Sequence, residues 1–317
     1  MPTILSTKSV GYQQVNLIAQ PQSRIASRSD IPKALHRIIV APMDSVVGKE
    51  FAIIASKLGL SLCLHRFESV ESQLDIYNSL ETQDLNKAWI AVGLNDWDRV
   101  SSILNVVKDP HLLVEVANGY LQDVVTFTKA LSEKGCEVMV GNVHSAAGIQ
   151  LYQDAEIPNC HIRVGIGGGS VCKTSTVTGF TRGSIAELSE CCEQASKGGV
   201  NVIADGGIKG PGEANKAFGM GADYVMMGGY FSKALEAHNA IEGIYRYWGG
   251  ASAYQQQRLH KHPNHVEGTV KENCPDDYEP LEFLVKKLWD GISSGISYSG
   301  FSTLEEFIGN GVFEIKS

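Results

Sequence analysis

Cys172 is the residue whose surroundings point first to chemistry. It stands in RVGIGGGSVCKT (163–174), after a glycine-rich turn and among small polar residues, unlike the apolar setting of a core cysteine. A thiol acts as a nucleophile in its thiolate form, which successive backbone N–H groups and a neighbouring cation, here Lys173, would favour. Thr174, two residues on, is suited to relay a proton. Two glycine pairs follow at the ends of apolar runs, Gly206 and Gly207 in VIADGGIKG, and Gly228 and Gly229 in YVMMGGYF. Glycine lets backbone approach a ligand closely, and clustered backbone N–H groups make a seat for a phosphate. Ser170 would add a hydroxyl to that seat. Asp205, just before the first pair, suits either the hydroxyls of a ribose or the cap of a helix. Glycine is in excess overall, 33 of 317 residues against an average of ~7%. The surplus falls in these short clusters and in WGG at 248–250, so it marks sites and not low complexity.

The elements that must position these residues can be read from hydropathy. Eight apolar runs recur at 37–42, 60–65, 88–94, 111–117, 137–142, 161–166, 200–205 and 223–229. They are apolar on both alternations, as strands buried on both faces are. Helical patterns lie between them, as at 49–59, 120–135 and 211–221, the last with Pro near its start and Gly at its end. Eight such units predict an α/β fold, a closed (β/α)8 TIM barrel. An open doubly wound sheet would want GxGxxG after an early strand, and none stands there. The expected layout is one catalytic domain over 1–317. Residues 1–36 form an N-terminal extension across one barrel end, 37–242 the barrel core, and 243–317 a C-terminal extension. Barrel active sites collect at the C-terminal ends of strands, with phosphate held after strands seven and eight, where the two glycine pairs fall. The other strand ends offer Met43 and Asp44, His65 and Arg66, Asn95, Glu115 and Asn118, and Asn142.

Composition narrows the function classes. With 43% hydrophobic and 20% charged residues the chain is an ordinary globular protein with ample length for a core. A net charge of −8 argues against a broad nucleic-acid-binding face. No run reaches the ~20 apolar residues of a membrane span, and MPTILSTKSVGYQQ lacks the pattern of a secretory signal. Seven cysteines, an odd number without CxxC, fit a reducing compartment, so a cytoplasmic protein is expected. HKHPNH (260–265) has three histidines without cysteine partners at zinc spacing and reads as an exposed loop.

Taken together the motifs resemble the IMP dehydrogenase and GMP reductase family. RVGIGGGSVCKT is similar to its nucleophile loop, and VIADGGIKGPGEANKAFGMGADYVMMGGYF to its phosphate-binding segment. APMDSV (41–46), LHRF (64–67), VANGY (116–120), GNV (141–143) and SRSD (27–30) add to the match. VANGY, VEGTV (266–270) and GISSGISYSG (291–300) resemble the reductase branch, and no regulatory insert interrupts the chain after the second strand. The resemblance implies a homotetrameric barrel that binds a purine nucleoside monophosphate. It implies reductive deamination of GMP to IMP and ammonia, with NADPH, through a cysteine adduct. Cys172 would be the nucleophile, with Thr174 and Glu267 as a proton-transfer dyad. Ser170, Gly206, Gly207, Gly228 and Gly229 would hold the phosphate and Asp205 the ribose, with Met43, Arg66, Tyr247 and Gly249 completing the nucleotide site. Glu115, Asn118, Gly119, Ser27 and Arg28 would meet the cofactor, and carbonyls of Gly167, Gly169 and Cys172 a potassium ion. The alternatives are a short IMP dehydrogenase making XMP with NAD, and a non-catalytic nucleotide-sensing barrel. This chain departs from the family at Gly168 (for Pro), at Lys173, Ser175 and Thr176, and at Glu115 (for Asp). The base-reading loop is YWGGA (247–251) where the family has YGMSS, which leaves the base and the sugar open. Arg246 and Tyr247 fall where that loop begins and are not read as the Arg-Tyr flap of a dehydrogenase.

Overall fold

The computed structural model describes residues 9–23, 25–81, 86–241 and 244–316. Residues 1–8 of the N-terminal extension and the boundary expected at 242/243 lie outside the described residues. In chain order the strands are β1 (Val15–Leu17), β2 (Ile38–Val40), β3 (Ser61–Leu64), β4 (Ala88–Val92), β5 (His111–Glu115), β6 (Glu137–Val143), β7 (Cys160–Val164), β8 (Val200–Asp205), β9 (Tyr224–Met227), β10 (Ala240–Ile241), β11 (Ile244–Trp248), β12 (Val270–Glu272) and β13 (Phe313–Ile315). The helices are α1 (Lys49–Lys57), α2 (Val70–Asn78), α3 (Trp97–Leu104), α4 (Gln122–Glu133), α5 (Ala146–Asp154), α6 (Thr174–Thr178), α7 (Ser184–Ala195), α8 (Pro211–Met220), α9 (Ala253–Arg258), α10 (Leu281–Tyr298) and α11 (Leu304–Phe307).

Strands β2 to β9 form a closed parallel barrel, with β9 returning to pair with β2 through Ile38 and Val225. All eight expected strands are these eight. Side chains alternate along each strand. Ile38, Val40, Leu62, Leu64, Ile90, Val92, Val202 and Ala204 therefore face the helices, while Ile39, Cys63, Trp89, Ala91, Leu113, Met139, Ile203 and Met226 fill the barrel. The same alternation, followed within β5, β7 and β8, carries Glu115, Arg163 and Asp205 to the interior side near the barrel's mouth. Pro211 starts α8 at its first turn and Gly221 ends it with a left-handed φ of 112°, matching the boundary signals in the sequence.

Two expectations about the periphery change. The barrel is not complete within 37–242. Its eighth helix is α10, which packs against α8 and α1 and buries Leu281, Leu284, Val285, Leu288, Trp289, Ile292 and Ile296. The insertion of β10, β11, α9 and β12 between β9 and α10 is what disguised it. The N-terminal extension does not lie across one end. It meets the mouth at Tyr12, pairs through β1 with β13, and reaches the other end before β2, where the His36 carbonyl accepts from Ser61 Oγ at 2.8 Å. The loop between β7 and α7 contains the single-turn helix α6. That helix buries no side chain, so it left no hydropathy signal.

The floor of the barrel is closed by Trp89 and by Glu137, which accepts from His161 Nε2 at 2.6 Å, lies 3.2 Å from His111 Nε2, and pairs with Lys87. Burial alone would raise the Glu137 carboxyl, but the bonds from His111, His161 and Lys87 outweigh it and hold it far below the carboxylate range. A depressed acid stabilises the fold above its unfolded-state value and loses that contribution as pH falls. Glu137→Gln is therefore expected to cost about 2 kcal/mol at pH 7. The difference should shrink as pH drops below the ordinary value of 4.5 towards the depressed one. Urea denaturation of both proteins at pH 7 and pH 3 checks this, and a difference independent of pH contradicts it.

Candidate active site

The loop between β7 and α7 carries Cys172, and it is held by two distant segments. Lys173 N donates to Glu267 O at 2.6 Å, Thr269 N to Val171 O at 2.9 Å, and Glu267 N to Ala251 O at 3.2 Å. Residues 171–173, 249–252 and 267–269 are thereby zipped together, with bridges from Gly268 to both Cys172 and Ser252. This brings three side chains into a line. Cys172 Sγ donates to Thr174 Oγ1 at 3.2 Å, and Thr174 Oγ1 donates to Glu267 Oε2 at 2.7 Å. A threonine hydroxyl has one proton, so giving it to Glu267 leaves the oxygen to accept from the thiol. The relay therefore runs from sulfur to carboxylate. Lys173 is exposed, and what it supplies to the loop is its backbone N–H.

Below the loop, Arg163 is a buried cation from the middle of β7. Its Nε and Nη2 donate to Asp205 Oδ2 at 3.1 and 2.9 Å, and Asn142 Nδ2 donates to the same oxygen at 2.8 Å. All three bonds fall on Oδ2, so Oδ1 is left for a ligand among the described residues. The helix-cap alternative for Asp205 is removed, since α8 is capped at Gly210. Gly206 and Gly207 both have positive φ, 96° and 77°, as a turn exposing consecutive N–H groups needs. A Cβ on Gly228 would stand 2.6 Å from Met43 Sδ and 3.0 Å from Tyr247 Oη, so only glycine admits those groups beside a ligand. Burial pushes the Tyr247 phenol well up, and its hydroxyl lies beside Ser170 and 3.2 Å from Met43 Sδ. Tyr247 thus sits beside Ser170 and the Gly228–Gly229 pair.

One cleft of about 1730 Å³ joins these parts. It is lined by Met43, Arg66, Glu115, Gly167, Gly169, Ser170, Cys172, Thr174, Asp205, Gly206, Gly207, Gly228, Gly229, Tyr247, Gly249 and Glu267, sixteen of the positions expected from the sequence. The structure does not bring four others to its lining. Asn118 is exposed and accepts from Tyr120 N, Gly119 N donates to Asn142 O, Ser27 caps a short turn, and Arg28 donates to Ser294 on α10 at 2.8 Å. His65 is buried and faces Asp44 at 3.8 Å, so of the pair ending β3 only Arg66 reaches the cleft. The 260–265 loop is exposed as expected. Four residues were not anticipated: Arg163, Phe67, Tyr12 and Glu187. Phe67 lies so close to Gly250 that a Cβ there would be 2.7 Å from its ring, which explains glycine in the base-reading loop. Arg163 and Glu187 are single charges on otherwise apolar faces, a signal too weak to find them before the fold is seen.

Comparison with known proteins agrees with this geometry. The family model described as the IMP dehydrogenase / GMP reductase domain matches residues 13–317. The chain belongs to this family. Members of the family are oxidoreductases, and so is this chain. It is 33% identical to "GMP reductase 1" of Mus musculus over 76% of this chain and 74% of that protein. It is 28% identical to the "GMP reductase" of Photobacterium profundum over 87% and 82%, and 27% identical to that of Edwardsiella ictaluri over 94% and 91%.

For a family oxidoreductase the cleft must also admit a cofactor. Beyond Cys172 it runs on past Arg66, Phe67, Glu115, Val116 and Ala117. Glu115 Oε2 is buried there and accepts no hydrogen bond, although Arg66 Nε is 3.3 Å away. A carboxylate and a guanidinium in this part of the lining could accept from and donate to the carboxamide of a nicotinamide. A cation at Gly167, Gly169 and Cys172 would meet neutral carbonyls only, which suits a monovalent ion; the Gly169 carbonyl already accepts from Cys172 N at 3.0 Å. The ion pair generates a test. Asp205→Ala leaves Arg163 buried without a partner and is expected to cost about 3 kcal/mol, whereas Asp205→Asn keeps an acceptor and costs less. Denaturant unfolding without ligand measures both; equal losses would contradict the pairing.

Proposed function

We propose that this chain is an NADPH-dependent reductase that converts GMP, or a closely related purine nucleoside monophosphate, to IMP and ammonia. The observation that carries this reading is the directed line from Cys172 through Thr174 to Glu267 at one end of a phosphate-sized seat. The glycine pairs, Ser170 and Tyr247 hold the 5′-phosphate, and Asp205 Oδ1 takes a ribose hydroxyl. That places C2 of the base near the thiol. Cys172 passes its proton along Thr174 towards Glu267 and its sulfur adds to C2. The same dyad returns a proton to the departing amine, so ammonia leaves and the S–C2 bond remains. A reduced nicotinamide, when bound, supplies the hydride that this carbon needs. Cleavage of the S–C2 bond then frees IMP and the thiolate, which takes up a proton from solvent to restore the thiol.

The competing dehydrogenase reading needs a mobile Arg-Tyr base. Here Arg246 lies in β11, 3.7 Å from Glu272, and Tyr247 is buried at the phosphate end, so neither is free for that role. The sensor reading has no use for the Cys172 relay. Val177 and Phe180, exposed just after the nucleophile, are surfaces that a neighbouring copy in a homotetramer would cover. A cytoplasmic enzyme goes with this reading, and no helix among the described residues is long and apolar enough to cross a membrane.

Protein mixed with GMP and NADPH is expected to oxidise the cofactor, followed by its absorbance. Folded protein without GMP-dependent oxidation overturns the reading; NAD reduction with IMP would favour the dehydrogenase. Cys172→Ala should abolish turnover and the covalent adduct seen by intact mass. Glu267→Gln should lower kcat about 100-fold with little change in the KM for GMP.

A further inference from the structure

Three carboxyls around the mouth of the barrel are matched by arginines. Arg66 is paired with Glu115 at 3.3 Å, Arg163 with Asp205 at 2.9 Å, and Arg182 with Glu190 through two bonds of 2.7 and 2.6 Å. Glu187 on α7 has no ion pair among the described residues, yet it is only 4% exposed and its Oε2 is buried without a partner. Its other oxygen lies 3.7 Å from where a Gly165 Cβ would stand, and the Ile166 backbone N–H faces it. The groups around it are Asp205 from β8, Tyr12 from the N-terminal extension, Arg182 ahead of α7 and Cys191 on the same helix. An unmatched acid in such a place costs stability that a glutamine or leucine would not cost. Its position under the start of the nucleophile loop is what a functional role would explain.

We propose that Glu187 is a positioning residue for the nucleophile: as a neutral carboxylic acid it completes the packing beneath residues 165–172, and on losing its proton it sets a second negative charge beside Asp205 and displaces that loop. The proposal rests on the reading of Cys172 as the nucleophile. Burial, joined by the charge of Asp205 and opposed by Arg182 and the Ile166 N–H, pushes the Glu187 carboxyl up to about 8. Near neutral pH the acid is therefore mostly protonated, and it ionises over the pH range in which enzymes are commonly assayed. A raised acid contributes fully below its unfolded-state value, and its contribution is lost as pH rises through the folded-state value.

Glu187→Gln, which mimics the neutral acid, tests this in three ways. Its melting temperature should exceed that of the wild type by a margin that grows from pH 5 to about 8 and then levels. The ratio of variant to wild-type kcat/KM should rise at least threefold between pH 6.5 and 9. The ratio of iodoacetamide labelling rates, read at Cys172 by peptide mass, should rise likewise. Flat ratios, or a melting difference independent of pH, overturn the proposal. Labelling needs no substrate, so absent GMP turnover with a rising labelling ratio counts against the reductase reading and not against Glu187. If Glu187→Gln does not fold, wild-type labelling decides: a rate that follows one simple thiolate titration overturns the proposal, and a second break near 8 supports it.

Discussion

The site depends on one constraint, the presence of charge inside a closed barrel. Arg163 projects into a lumen otherwise filled by Ile39, Trp89, Leu113, Met139 and Met226, and a guanidinium there is tolerable only with its partner in place. Asp205 is that partner, and β7 and β8 hold the two in neighbouring registers. Because Arg163 and Asn142 all bind one oxygen of Asp205, the other is left oriented and unused. In the proposed reaction this structural ion pair would double as a rigid acceptor for substrate. Burial raises the carboxyl of a nearby second acid, Glu187, and the charge of Asp205 adds to that rise.

The nucleophile is organised by a different device. Cys172 and Thr174 are near neighbours in sequence, but Glu267 lies 93 residues beyond Thr174. The backbone zip among 171–173, 249–252 and 267–269 carries it there. Gly268 permits the zip, since a Cβ would stand 2.7 Å from Ser252 N. The arrangement couples the proton acceptor to the base-reading loop, so movement of one segment disturbs the other.

How much of this could be read in advance depended on the kind of signal. The eight strands were legible because buried parallel strands are apolar on both faces. The two glycine pairs were legible because positive φ, at Gly206 and Gly207, and close approach, at Gly228, select one residue type. Cys172 stood out by its polar neighbourhood, but the role of Glu267 came only through resemblance, because no local pattern announces a partner so far along the chain. Arg163 was hidden in the middle of an apolar run, where a single charge reads as noise until its partner is seen. Glu187 was hidden in α7, where Ile185, Leu188 and Cys191 share its buried face. α10 showed a strong apolar stripe but was assigned to an extension, because the insertion before it broke the regular β–α spacing.

The base-reading loop bears on how specificity would arise in the proposed reaction. Gly249, Gly250 and Ala251 present no polar side chain, and Phe67 takes the volume beside Gly250. Recognition of the base edge then falls to backbone groups, which can pair with a six-position oxygen but contribute little discrimination at the two-position. The two-position is where the reaction occurs. A purine without a leaving group at C2 could occupy the site, accept contacts from the phosphate seat and Asp205, and go no further, because the Thr174 and Glu267 dyad would have no amine to protonate. Selectivity would therefore be expressed in turnover more than in affinity, as expected when a site is matched to a transition state and not to a ground state. A loop without side chains is no obstacle to such an enzyme, provided the relay from Cys172 to Glu267 is intact.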